Sequence, residues 1–215
     1  MTLLFLQSLT AILFLTIIFL HLTKRNLSAS VAFSIQSVLV AFFFLNSFLE
    51  TPDSYLLLVI IFTIIVKVIL APLFFIRLIK KHALAFNVST YLNVPLTIII
   101  MASLTFLAHL EKFNPLTNIV PAYHQLLSLA LASIFLSLFL IVNRKGALSQ
   151  IIGVLSLENS IVTFIIFAGL EKSPGMQIGV IFNILIWIMI STIFVSLLYR
   201  HFGSLNVTDM KNLTD

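Results

Sequence analysis

Apolar runs of about 20 residues return along the whole length of this chain, and that recurrence limits its fold more than any other feature. An α-helix rises ~1.5 Å per residue, so about 20 residues cross the ~30 Å hydrocarbon core of a bilayer. The runs are Leu3 to Thr23, Ser30 to Leu49, Ser54 to Ile79, Tyr91 to Leu110, Tyr123 to Val142, Ser149 to Leu170 and Met176 to Tyr199. Short connections with turn residues separate them, among them Thr51-Pro52-Asp53, Asn114-Pro115, Gly146 and Ser173-Pro174-Gly175. A water-soluble domain carries about a quarter charged residues. Here 9% of 215 residues are charged and 60% are hydrophobic, which leaves far more apolar surface than one soluble core can bury. The expectation is an all-α polytopic membrane protein with about seven transmembrane helices, a single transmembrane domain over residues 1–215 ending in a tail over 200–215.

The basic residues fall in alternate connections. One set holds Lys24 and Arg25, then Arg77, Lys80 and Lys81, then Arg144 and Lys145, then Arg200 and Lys211. The other set has no basic residue before the first run or around Glu50 and Asp53, and holds Lys112 beside Glu111 and Lys172 beside Glu171. Lysine and arginine favour the cytoplasmic side of a membrane. That bias puts the N-terminus outside and the C-terminal tail in the cytoplasm. No basic segment precedes the first run and no small-residue cleavage site follows it, so it reads as a retained helix.

A net charge of +5 does not point to nucleic acid, because the basic residues lie singly or in small groups between apolar runs. The chain has no cysteine, so it cannot ligate an iron–sulfur cluster through thiolates. Its histidines, His21, His82, His109, His124 and His201, all lie near predicted helix ends, and no two share a helix at metal-ligand spacing. No phosphate-cradling glycine loop, dinucleotide fingerprint or nucleophile elbow occurs. The expectation is therefore no catalytic residue, no metal ligand and no cofactor in this chain.

With the other charges assigned to connections, two remain in the hydrocarbon interior: Lys67 in the third run and Glu158 in the sixth. Each costs about 2.5–3.5 kcal/mol on insertion scales, so an intramembrane charge is by default a candidate functional group. The helical neighbours of Glu158, namely Val154, Leu155, Ile161 and Val162, are all aliphatic. Desolvation there penalises the carboxylate form and suits the group to load and release a proton. Lys67 stands five residues before Pro72, whose missing N–H and ring loosen the preceding turn and make room for water or a carboxylate. Three readings stay open: proton or ion handling by Lys67 and Glu158, a static ion pair that fixes helix register, or pairing of these charges with other subunits. Gln36, Asn159 and Asn183 extend a candidate polar path. Taken singly, Gln36, Asn46, Asn93, Asn183 and Gln177 each read as interhelical hydrogen bonds. Beside Glu158, the small face of Ser149, Gly153, Ser156, Ser160 and Thr163 reads as close helix packing.

Three stretches carry a resemblance. They are Val66-Lys67-Val68-Ile69-Leu70-Ala71-Pro72, Ile152-Gly153-Val154-Leu155-Ser156-Leu157-Glu158-Asn159-Ser160, and Gly203-Ser204-Leu205-Asn206-Val207-Thr208-Asp209-Met210-Lys211-Asn212-Leu213-Thr214. Over nearly its full length the chain resembles the hydrogenase-4 component E family, membrane subunits of formate hydrogenlyase-type and related group 4 hydrogenase complexes. Its C-terminal part is also similar to NADH-quinone oxidoreductase subunit 4L and to the C subunit of multisubunit cation/proton antiporters. The resemblance implies a non-catalytic, multi-pass subunit of a bacterial or archaeal inner membrane. Its implied partners are antiporter-like and quinone-module-like membrane subunits and soluble metal-bearing redox subunits. It also implies a place for Glu158 in a chain of charged groups that moves protons or cations, with a weaker claim for Lys67. One departure stands out: relatives often carry a second carboxylate in the last helix, where this chain has Asn183. The alternatives are a structural subunit at the seam of the membrane arm, a cation/proton antiporter subunit, or a free-standing transporter.

Overall fold

The computed structural model describes residues 2–81 and 88–170, together with Gly179. Among them the fold is all-helical, with one isolated bridge between Thr90 and Arg144. Helices α1 (Leu3–Leu22) and α2 (Asn26–Glu50) are followed by a long span of three parts: α3 (Ser54–Phe62), a π-helical stretch (Thr63–Leu70) and α4 (Ala71–Lys81). Then come α5 (Val94–Ala108), the short α6 (Asn114–Thr117), α7 (His124–Asn143) and α8 (Ala147–Phe167). Among the described residues five helices are long and apolar enough to cross a bilayer, or six if α5 and the Glu111–Thr117 segment, bent by 55° relative to each other, form one span. The chain is a multi-pass helical membrane protein by this criterion. The expected seventh span, Met176 to Tyr199, and the tail over 200–215 lie outside the described residues.

Local chemistry sets the helix starts. The Asp53 carboxylate accepts from the Tyr55 N–H at 3.0 Å and caps α3, after Pro52 has ended the preceding turn. The Asn93 side chain accepts from the Leu96 N–H at 3.0 Å, and Pro95 fits the first turn of α5, where its missing N–H is no loss. Asn93, read above as an interhelical bond, is thus a cap. Both devices satisfy N–H groups that water would otherwise have to serve.

The third span bends its helical register where the sequence places Lys67 and Pro72. A proline cannot donate to a carbonyl of the turn before it. Ahead of Pro72 the chain widens into eight residues of π-helix, and the Ala71 N–H reaches back five residues to the Val66 carbonyl. The Val68 carbonyl accepts instead from Ser34 Oγ of α2 at 3.3 Å. The loosened turn expected at Pro72 is thus a π-helical stretch, stabilised by a neighbouring hydroxyl.

The connections that carry the basic residues meet at one end of the bundle. The Val88 N–H donates to the Lys24 carbonyl, the Tyr91 N–H to Asn143 and the Lys145 N–H to Ser89, at 3.0–3.3 Å. At the opposite end Leu6, Asn46, Glu50, Val120, Tyr123 and Gly169 surround a small cavity of about 190 Å³. Between these ends the two larger clusters of the apolar core lie around Leu13, Phe43, Leu127 and Leu136, and around Phe33, Phe75, Leu148 and Leu155. Large apolar side chains such as Leu15, Leu58 and Phe106 cover the outside, as lipid rather than water demands.

Candidate functional site

The two intramembrane charges come together. Lys67 Nζ lies 2.9 Å from Glu158 Oε1, with Lys67 1% and Glu158 7% exposed. Lys67 enters from the π-helical stretch and Glu158 from α8, so the contact joins spans far apart in sequence. The ammonium also donates to Asn159 Oδ1 at 3.0 Å. Asn159, itself fully buried, passes its Nδ2 donor to Ser37 Oγ at 3.3 Å, and Ser37 donates to the Phe33 carbonyl at 3.0 Å. A polar chain therefore runs from Glu158 through Lys67 and Asn159 into α2.

The pair is closed in charge but open in hydrogen bonding. Opposite charges at this distance cancel the net field, and removing either one would leave a buried ion. An ammonium has three donors, of which Asn159 engages one. Among the described residues, Glu158 Oε1 is close to the ammonium yet is not aligned as a hydrogen-bond acceptor, and Oε2 has no partner. Thr63, one turn before Lys67 and also 1% exposed, has an unpartnered hydroxyl. Elsewhere in the bundle Thr10, Thr105 and Thr163 donate to the carbonyl four residues back. The carboxylate and the hydroxyl nearest in sequence to the lysine are thus both left with capacity to bond.

Of the wider polar path, Asn159 belongs to the site by direct contact. Gln36 is fully buried in α2 beside Ser37 in sequence, but neither of its amide atoms has a hydrogen-bond partner. Asn183 and Gln177 lie outside the described residues, as do His82 and His201. Asn46 donates to Glu50 Oε1 at 2.9 Å near the end of α2, well away from the pair. Among the described residues no group of three or more His, Asp or Glu side chains is arranged to hold a metal ion.

A second buried basic group was not foreseen from the sequence. Arg144 lies in the α7–α8 turn as expected, yet it is only 2% exposed. Its guanidinium donates to the Thr23 carbonyl at 3.0 Å and to the Leu20 carbonyl, which places a cation on the C-terminal end of α1. Burial lowers its pKa to about 10, so it stays charged at neutral pH. His21 of α1 lies nearby, with Nε2 3.0 Å from the Leu136 carbonyl and its ring stacked 5.0 Å from Phe139. The signal available in sequence was a helix ending near Thr23, whose last carbonyls need partners. What the sequence could not say is which loop supplies the cation.

The α7–α8 contact behaves as the small-residue face predicts. A Cβ added at Gly153 would stand 3.0 Å from Ile141 Cγ1 and 3.4 Å from the Ile141 nitrogen. Ser137 lies 3.4 Å from Ser156 Oγ and 3.3 Å from Ser160 Oγ. Compared with family models, curated proteins and solved structures, the chain matches none.

Proposed function

We propose that this chain is a membrane-arm subunit of a hydrogenase-4 or formate-hydrogenlyase-type assembly, in which Glu158 and Lys67 take part in moving protons or cations. The observation that carries the reading is the buried Lys67–Glu158 pair itself. A carboxylate with one charged neighbour and no aligned hydrogen bond can accept a proton without dismantling a network. Protonation of Glu158 would release Lys67, whose ammonium keeps Asn159 as a partner. Hydrogen chemistry and electron transfer would belong to soluble metal-bearing partners, with antiporter-like and quinone-module-like subunits beside this one in a bacterial or archaeal inner membrane. In this reading the basic end of the bundle faces the cytoplasm and the N-terminus lies outside.

A structural reading draws on the same contacts, because the Lys67–Asn159–Ser37 chain would also pin α2, α8 and the third span in register. Ion pumping by membranes carrying Glu158→Gln separates the two, with assembly followed on native gels. Assembled complex with pumping lost supports the ion-path role, and normal pumping leaves a seam subunit. Because Glu158→Gln strands an ammonium, the double variant Lys67→Gln/Glu158→Gln is measured beside it. That variant removes both charges, so neither ion is left buried without its counter-ion.

A further inference from the structure

The end of the bundle where the basic connections meet carries Lys24, Arg25, Arg77, Lys80 and Lys145, and no carboxylate among the described residues. Just below Lys24 and Arg25, a groove of about 410 Å³ opens between α1 and α2. Thr16 and Phe19 line one side, and Leu27, Ser28, Val31 and Ile35 the other. Leu27, Val31 and Ile35 recur every fourth residue along α2 and are each 44–48% exposed, so none of the described residues fills the groove. Its length decides what can. From Leu27 to Ile35 is about 12 Å along a helix, most of the ~15 Å hydrocarbon depth of one leaflet and only half of a span. A transmembrane helix of a partner would need a seat through the whole bilayer, whereas an acyl chain needs one leaflet.

The mouth of the groove suits an anion. Lys24 and Arg25 are exposed there, and α2, 25 residues long, starts at the same place without a side-chain cap. The positive pole of a helix and two cations at the depth of the headgroups attract negative charge. We propose that the α1–α2 groove binds an anionic phospholipid, with one acyl chain along Leu27, Val31 and Ile35 and its phosphate on Lys24, Arg25 and the start of α2. The site is independent of the Lys67–Glu158 pair.

The test uses the full chain in mild detergent, titrated with dioleoyl phosphatidylglycerol or dioleoyl phosphatidylcholine and read by native mass spectrometry. Phosphatidylglycerol should bind at least tenfold more tightly. A basic residue near the headgroups contributes about fivefold, so Lys24→Gln/Arg25→Gln should erase most of that preference. Val31→Trp, which fills the groove at an exposed position, should weaken both lipids. Lys112→Gln, on the far side of α5, should change neither. Equal binding of the two lipids, a preference kept by the double variant, or unchanged binding in Val31→Trp would each overturn the site. Displacement of phosphatidylglycerol by millimolar inorganic phosphate would overturn the acyl-chain part and leave an anion site alone. If Val31→Trp excluded partner subunits on native gels while lipid binding stayed intact, the groove would be a protein interface and the proposal would fail.

Discussion

Two polar regions of α8 face different neighbours. Toward α7, Ser156 and Ser160 meet Ser137, Ser160 also donates to the Ser156 carbonyl at 2.9 Å, and Gly153 lets Ile141 approach. The hydroxyls of that seam are engaged, at neutral charge and short range. Toward α2 and the third span, Glu158 and Asn159 meet a full positive charge, and both carboxylate oxygens and the Thr63 hydroxyl lack aligned partners. Polar residues in a bilayer serve packing when they satisfy one another locally, and interhelical bonds of that kind are worth only about 0.6 kcal/mol on average. A charged group that is buried and incompletely bonded is costly to keep. The contrast teaches that polarity within a span does not mark a site, whereas unspent bonding capacity around a charge does.

The comparison can be broken most severely at the pair. Lys67→Met should destabilise the protein by about 3–5 kcal/mol, because Glu158 loses the counter-ion beside it. Lys67→Met/Glu158→Gln should recover most of that loss, as read by unfolding in detergent. A single variant as stable as the parent would show that the pair is not buried in the membrane-embedded protein. Next in size is the close approach of the seam. Gly153→Leu forces Ile141 aside and should cost about 1–3 kcal/mol by overpacking. No loss there would mean that α7 and α8 stand further apart than described. The smallest effects sharpen the contrast between satisfied and unsatisfied hydroxyls. Ser137→Ala should cost roughly 0.5–1 kcal/mol, while Thr63→Val should be neutral or stabilising, since it removes a hydroxyl without a partner. Equal costs for the two would dissolve the distinction.

Much of this was legible before any coordinates. Lys67 and Glu158 stand out in sequence because each interrupts a long apolar run, and the small-residue face of α8 announces its packing by composition. The position of the loosened turn in the third span follows from Pro72, although its form as a π-helix does not. Gln36 and Asn159 looked alike as polar residues within spans. Only Asn159 reaches the ammonium, because its rotation on α8 turns it toward the third span while also meeting Ser37. Arg144 read as an ordinary loop charge, and its burial depends on α1 ending beside the α7–α8 turn.

The sequence by itself determined that the chain is helical and membrane-spanning, and which two charges would be stranded in hydrocarbon. Those properties are local sums: the transfer energy of a run depends on its own residues and on the bilayer thickness. Only the tertiary structure decided that Lys67 and Glu158 share one site, that Asn159 and Ser37 extend it, and that Arg144 closes the end of α1. Pairing depends on the rotation, depth and neighbours of each helix, and hydropathy, blind to all three, is the same for a helix turned either way.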